Sequence, residues 1–343
     1  MNKTVQKSGI VRLGFSPYTY ARVAVMKSSL LRREDLDRLL KMGPQEILRF
    51  LQDSGYRQEI DQYNVVSGGL RVIEKALNQN LFRSVQKLFR ISYEKMRKVL
   101  SMYLWRYDLE NFKMILRSKF TQTPSAEIKE QLYSSVNYSL EFFRRLLEKN
   151  TVQEVIYHLP FLRQEKINFH NLFEIENALD RYYMKTFYEF ATHLKGQGKT
   201  VAQFFRQEIE MINLKTILRG KSASGELAQA KNLEKYVLYP SELIKKIMLK
   251  DSFSEIVKLL RSQKLTTLHG EEEDLLLKLE MEMSVYLLRK ENLLIHQHLL
   301  SANYILGYLF AKENEVRNLQ IIFKGKSLAL KPEYLEQLLV IAA

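Results

Sequence analysis

Apolar residues recur at steps of three and four along residues 200–222, TVAQFFRQEIEMINLKTILRGKS. This spacing puts them on one side of an α-helix, which is therefore predicted to bury a wide face. Arg219 and Lys221 stand near the end of the segment, where cations favour the negative end of the helix dipole. Gly220 is predicted to stop the helix, because glycine adopts the left-handed conformation without strain.

The same periodicity predicts further amphipathic helices. One covers Asp35–Leu51 with a break at Gly43-Pro44, and others cover Ser139–Leu147 and Leu275–Leu288. No alternating strand pattern of useful length is present. The chain has only 13 Gly and 6 Pro, and it is rich in residues that favour helices. The predicted fold class is all-α.

One nine-residue pattern occurs three times, as NFKMILRSK (111–119), NLKTILRGK (213–221) and NLQIIFKGK (318–326), at offsets of 102 and 105 residues. IEKAL (73–77), IENAL (175–179) and LEMEM (279–283) form a second set, and QEILRFL (45–51), QEVIYHL (153–159) and SEIVKLL (254–260) a third. Their order is the same each time. We therefore predict three related units, residues 1–120, 121–225 and 226–343, each long enough to bury its own core.

Several positions of the repeated pattern carry polar residues or glycine. They are Asn111, Asn213 and Asn318; the acids three residues earlier, Asp108, Glu210 and Glu315; the glycines Gly220 and Gly325, with Ser118 in the first copy; Arg117, Arg219 and Lys324; and Lys119, Lys221 and Lys326. A buried asparagine at mid-helix predicts a fixed hydrogen bond, and contact with a partner is the alternative. The basic residues are predicted either to cap helix ends or, under threefold packing, to form two rings of positive charge.

Charge is distributed unevenly over the three predicted units. The net charge of +14 divides into +12, +2 and zero along the chain. The first unit is therefore expected to face an acidic protein, a nucleic acid or an anionic membrane surface, or to be a solvated basic face. Cysteine is absent, which excludes disulfides, thiolate catalysis and cysteine-bound metals, and which is typical of intracellular proteins.

Two segments bear on membrane targeting. Lys7 and Arg12 interrupt the apolar residues of the N-terminus, so no secretory signal is predicted. Asn292–Ala311 is twenty residues long without a formal charge, but its His, Gln and Asn side chains are costly in hydrocarbon. We predict a buried helix of the third unit there, and a soluble protein.

No segment predicts a catalytic or cofactor site. GQGKT (196–200) lacks the first glycine of a phosphate loop and is predicted to connect two helices. His296 and His298 are two residues apart and so do not share a helix face. The acidic run at 271–274 is predicted to begin a helix. The sequence predicts no enzyme activity, no cofactor, no metal and no small-molecule substrate.

Two motifs carry a resemblance to a known family that covers essentially the whole chain. In YTYARVAVMKSSLL (18–31) the residues that match are Tyr18, Tyr20, Ala21, Arg22, Val23, Leu30 and Leu31. The second motif is Asn213 with Ile217–Lys221. With them the chain resembles the C subunit of archaeal and bacterial V-type (A-type) ATPases, whose eukaryotic relative is the d subunit. Ser118, Phe323 and Lys324 depart from the pattern, so the three copies are not expected to act equivalently.

The resemblance implies a non-catalytic adapter between the central stalk and the membrane rotor ring of a rotary ATPase. It implies a pseudo-threefold funnel, with stalk subunits of the D and F type in the cavity and a ring of the c, K or L type at the opposite face. It also implies a peripheral position on the cytoplasmic side of the membrane. Arg22, Lys27, Arg32 and Arg33 are the candidate docking cations of the first unit. The alternative is a basic helical scaffold or nucleic-acid-binding protein, although no nucleic-acid-binding motif is present.

Overall fold

The chain folds mainly into helices. A computed structural model describes residues 10–63, 65–133, 135–162, 171–222, 234, 237–269, 275–297 and 301–339. The helices are α1 (Pro17–Ser28), α2 (Arg33–Lys41), α3 (Pro44–Gln52), α4 (Arg57–Gln62), α5 (Val65–Ile91), α6 (Glu94–Thr121), α7 (Ser125–Gln131), α8 (Leu140–Leu147), α9 (Val152–Tyr157), α10 (Leu172–Thr192), α11 (Gly198–Ser222), α12 (Glu242–Met248), α13 (Phe253–Ser262), α14 (Leu275–Gln297), α15 (Ala302–Ser327) and α16 (Pro332–Leu338).

The predicted amphipathic helices are present. Asp35–Leu51 is divided at Gly43 into α2 and α3, where the Glu46 carboxylate accepts a hydrogen bond from Gly43 N at 2.7 Å. Ser139 caps α8 by accepting a hydrogen bond from Phe142 N. The acidic run at 271–274 lies outside the described residues.

A two-stranded parallel sheet departs from the all-helical prediction. β1 (Val11–Leu13) pairs with β2 (Leu194–Gly196). Val11, Leu13 and Leu194 are buried. Three residues are too few for an alternating pattern to be recognised in the sequence, so the prediction missed both strands. GQGKT lies between α10 and the body of α11, but the prediction of a connecting segment was wrong for most of it: Gly196 belongs to β2 and residues 198–200 begin α11.

Gly220 and Gly325 do not end their helices, and this prediction was wrong. α11 and α15 continue to Ser222 and Ser327. The left-handed residue after α15 is Ala329, with φ of 54°. Gly325 is needed for a different reason: a Cβ atom there would lie 2.0 Å from Cδ2 of buried Leu335 in α16. Close approach of α16, rather than chain reversal, requires the glycine.

The uncharged segment 292–311 belongs to two helices and not to one. α14 ends at Gln297 and α15 begins at Ala302, where Ser301 caps α15 by accepting a hydrogen bond from Asn303 N. Residues 301–310 are all buried. Among the described residues, no helix is both long and apolar enough to cross a bilayer.

The six long helices pack in the spatial order α6, α10, α11, α14, α15, α5. Contacts of the N-terminal segment and of Gln197, which precedes α11, join the starts of α6, α11 and α15. Val11 N donates to His193 O at 3.0 Å, and Tyr93 OH donates to Gly14 O at 2.8 Å. Ala302 N donates to Gln197 Oε1 at 3.2 Å. Three helices that begin far apart in the sequence therefore start close together in space.

Gly325→Ala is expected to destabilise the protein by roughly 1–3 kcal/mol, because the new methyl group would overlap the fully buried Leu335 side chain and force it to shift. In a Leu335→Ala background the same change is expected to cost nothing, or to stabilise α15 by up to about 1 kcal/mol through helix propensity. Urea denaturation measures both free energies of unfolding. Gly55→Ala is the control, because a Cβ atom there has no neighbour within 4 Å. Equal costs of Gly325→Ala in the two backgrounds would contradict the packing explanation.

Candidate functional site

The repeated asparagines are buried, and Asn111 and Asn213 bond to backbone groups. Asn111 and Asn213 are 0% and 1% exposed, and Asn318 is 1% exposed. Asn111 Nδ2 donates to Tyr133 O and its Oδ1 accepts from Tyr133 N, both at 2.8 Å. Asn213 makes the same pair of bonds with Leu238, at 2.7 and 3.2 Å. The amide thus pairs with one residue of the chain that follows the helix, as a neighbouring strand would.

The acids three residues earlier hold the segments that precede short helices. Asn137 Nδ2 donates to Asp108 Oδ2 at 2.7 Å, and Ser241 Oγ donates to Glu210 Oε1 at 2.5 Å. Glu315 instead accepts from Leu31 N at 2.5 Å. α15 therefore binds the N-terminal segment in the way that α6 and α11 bind the chain that follows them.

The repeated lysines bond to carbonyl groups at the ends of short helices. Lys119 Nζ donates to Leu147 O at 2.6 Å, and Lys326 Nζ donates to Leu40 O at 2.8 Å. Lys221 Nζ donates to the carbonyl of Lys250. Carbonyls at a helix C-terminus have no partner within the helix, so these lysines satisfy them. Partial burial lowers the pKa of Lys119 and of Lys326.

The third set of cations bridges neighbouring long helices. Arg117 Nε lies 2.6 Å from Glu176 Oε1 in α10, and Arg219 Nε lies 2.6 Å from Glu280 Oε1 in α14. Lys324 Nζ lies 3.4 Å from Glu74 Oε1 in α5. The three acids belong to IEKAL, IENAL and LEMEM, so two of the repeated patterns contact each other. Sequence reasoning noted both patterns but not that they pair.

A charged cluster that the sequence reasoning missed lies between α6, α11 and α15. It consists of Arg106, Glu208 and Glu313, which follow the same offsets of 102 and 105 residues. The Arg106 guanidinium contacts the Glu313 carboxylate and lies 3.6 Å from Glu208 Oε1. The offsets were the signal that could have found these residues, but their types differ between copies.

Tyrosines complete the cluster around Glu313. Tyr103 OH donates to Glu313 Oε2 at 2.9 Å, and Tyr107 OH donates to Oε1 at 2.6 Å. The Tyr103 ring also stacks on Phe205 at 6.3 Å and meets Phe310 edge-on at 5.2 Å. Tyr103, Phe205 and Phe310 again follow the two offsets. Charged and aromatic residues at equivalent positions therefore meet in one place.

Glu208 lies farther from Arg106 than Glu313 does, and the two tyrosine hydroxyls donate to Glu313. Burial raises its pKa to about 7, an effect that Arg106 opposes and Glu313 reinforces. Side-chain exposures of 31% for Arg106, 17% for Glu208 and 14% for Glu313 indicate that water reaches the cluster. Asp108 also has a pKa raised to about 7 by burial.

The predicted docking cations of the first unit lie at the surface. Arg22, Arg32 and Arg33 are exposed, and Lys27 Nζ lies 5.4 Å from the ring centroid of Tyr304. None of these four forms an ion pair with a described residue. They are separate from the interhelical contacts above.

These contacts define a class of protein: a helical body whose repeated polar positions join helices to one another. In the part of the chain that the structure describes, no group of acidic and histidine side chains is suited to hold a metal ion. The ATP synthase (C/AC39) subunit family matches residues 19–338. The C subunit of the A-type ATP synthase of Methanococcoides burtonii is 33% identical, with 99% of both chains covered.

Two further C subunits are similar to this chain over nearly their full length. The corresponding C subunit of Methanosarcina acetivorans is 33% identical over 99% of this chain and 97% of its own length. That of Haloferax volcanii is 27% identical over 94% of this chain and 97% of its own. The chain therefore belongs to the ATP synthase (C/AC39) subunit family, as its sequence motifs suggested.

Glu208→Gln is expected to raise the melting temperature at about pH 8 and to have little effect near pH 4.5. A pKa raised on folding means that the native state binds the proton more tightly. Stability is therefore lost as pH rises from the ordinary value of 4.5 towards 7, by up to about 3 kcal/mol. The neutral amide removes this loss. Thermal denaturation across the pH range measures it.

Glu313→Gln is the matched comparison. It deprives Arg106 of its close carboxylate. Removing one partner of a fully buried ion pair costs about 3–5 kcal/mol, and the cost is smaller here because water reaches the cluster. We expect destabilisation at neutral and alkaline pH. The assignment of roles within the cluster fails if the two glutamine variants shift the melting temperature in the same direction at alkaline pH.

Proposed function

We propose that this chain is the non-catalytic central-stalk adapter of a rotary ATPase. It links the rotor stalk to the membrane rotor ring and transmits torque for ATP-coupled transport of protons or sodium ions. The observation that carries the proposal is the set of corresponding contacts that joins long helices at equivalent positions. The relatives are named as C subunits of A-type ATP synthases, which agrees with a role inside such a complex.

In this proposal the chain is three related units, 1–120, 121–225 and 226–343, arranged around a pseudo-threefold axis. The support is the direction of the contacts. Arg117 and Lys119 of the first unit bond to residues of the second, and Arg219 and Lys221 of the second bond to residues of the third. Lys324 and Lys326 of the third return to Glu74 and Leu40 of the first. Such head-to-tail contacts close a ring when the rotation between units is one third of a turn.

The axis of the proposed funnel passes through the Arg106–Glu208–Glu313 cluster. The narrow end is the side where the starts of α6, α11 and α15 lie, beside the small sheet. The wide end is the side of their C-termini, where Arg117, Arg219 and Lys324 lie close to the rim. Helices packed at interior density transmit strain, so a rotation applied at one end reaches the other.

In this proposal each end of the funnel binds a different partner. Stalk subunits of the D and F type occupy the cavity, and a ring of the c, K or L type contacts the narrow end. The protein is peripheral, on the cytoplasmic side of the membrane. Arg22, Lys27, Arg32 and Arg33 supply unpaired positive charge for acidic residues of the ring assembly, and like complementary charges elsewhere they set orientation and association rate.

Removal of the chain tests the adapter role directly. In membrane vesicles that lack it, we expect stalk and head subunits to be lost from the membrane fraction and ATP-driven ion uptake to stop. ATP hydrolysis by the released head continues, because the catalytic sites are elsewhere. Adding back the purified full chain restores uptake. Retention of stalk subunits on the ring, with coupled transport intact, would rule the adapter out.

Reversal of the four cations tests the docking surface. Arg22→Glu, Lys27→Glu, Arg32→Glu and Arg33→Glu together are expected to reduce reassembly with the ring at least tenfold at low salt, because complementary charge becomes repulsion. Arg144→Glu, Arg145→Glu, Lys246→Glu and Lys258→Glu are the control, since these exposed residues change the net charge equally. Co-sedimentation with ring-containing vesicles measures reassembly. If both quadruple variants weaken reassembly equally, the effect comes from net charge alone and the proposed docking surface is wrong.

A further inference from the structure

Two cations stand side by side on the exposed face of the small sheet. Arg12 of β1 is in register with Lys195 of β2, and both side chains are exposed. Neighbouring like charges in a β-ladder destabilise it. Neither residue has an acidic partner within 4.0 Å among the described residues. The fold retains a repulsion that an external anion would relieve.

The surrounding sequence increases this positive charge. Residues 1–33 contain seven Lys or Arg and no Asp or Glu. The first acid of the chain is Glu34, beyond α1. A stretch with this balance attracts anionic surfaces over a Debye length, about 8–10 Å at moderate salt.

Large apolar side chains are exposed next to the cations. Ile10 is 70% exposed, Phe15 is 41% exposed and Tyr18 is 63% exposed. These residues flank β1 on both sides and begin α1, where Val25 is a further exposed apolar residue at 69%. Aromatic and aliphatic groups interleaved with Arg and Lys are typical of surfaces that lie in the headgroup region of a bilayer.

We infer that this N-terminal basic surface, formed by Ile10, Arg12, Phe15, Tyr18 and Lys195, binds anionic phospholipid headgroups. The cations neutralise phosphates, and the apolar side chains enter the boundary between headgroups and acyl chains. An acidic protein segment is the competing occupant, which a loss of ring subunits on co-purification would reveal. The inference does not rest on the adapter role, because it concerns the isolated chain and lipid alone.

Vesicle flotation with the purified full chain tests it. At low salt, we expect binding to vesicles of phosphatidylcholine with about one third phosphatidylglycerol, and at most weak binding to pure phosphatidylcholine. Each Lys or Arg near an anionic surface contributes about a fivefold gain in affinity. Arg12→Gln with Lys195→Gln is therefore expected to weaken binding roughly 25-fold. Phe15→Ser with Tyr18→Ser is expected to remove the part of binding that persists at high salt.

Lys246→Gln with Lys258→Gln is the control, since it removes the same charge from exposed residues in α12 and α13. Unchanged melting temperatures establish that the variants fold. Binding that is equal for both vesicle types, or equal in the two charge variants, overturns the inference. If the full chain binds no vesicle, but Arg12→Gln with Lys195→Gln loses the ring subunits on co-purification, the surface belongs to a protein partner and the lipid assignment is wrong.

Discussion

The contact between Arg106 and Glu313 constrains the rest of the structure. Arg106 is held in α6, Glu313 in α15 and Glu208 in α11, so three long helices have to bring their midpoints together to keep the guanidinium and carboxylates paired. A partly buried charge without its partner is costly, because desolvation is no longer offset. A shifted register of any of the three helices would separate the charges. The cluster thus favours one arrangement over alternatives that would bury the same apolar residues.

The other polar contacts extend this arrangement outward. The asparagine, acid and lysine of α6 and α11, and the acid and lysine of α15, bond to neighbouring segments and helix ends. The short helices are therefore fixed by hydrogen bonds as well as by apolar packing. In α15 the partner segment is N-terminal: Leu31 and Leu40 are separated from Glu315 and Lys326 by 284 and 286 residues. The last long helix is completed only when the beginning of the chain packs on it. A body closed in this way resists opening better than a linear array whose terminal units contact one neighbour.

The cations of the described residues divide into two groups. Interhelical cations are paired with Glu74, Glu176 and Glu280, whereas Arg12, Arg22 and Lys195 have no acid nearby among the described residues. The cations in ion pairs hold neighbouring helices together, and the cations without an acidic partner remain available to other molecules. The net charge of +12 on residues 1–120 is therefore not evenly distributed. Much of it is concentrated in the first 33 residues.

The sequence by itself predicted the all-helical class, several helices with their apolar faces, the repeated pattern and the family, because helix periodicity and motif spacing are local properties of the chain. It predicted polar roles for Asn213, Arg219 and Lys221, but their partners Leu238, Glu280 and Lys250 depend on which elements face each other. Only the tertiary structure decided that Gly325 serves close packing, that 11–13 and 194–196 pair as strands, and that Arg106, Glu208 and Glu313 meet. These facts arise from contacts between residues that are mostly far apart in the sequence. No pattern within a single helix encodes such contacts.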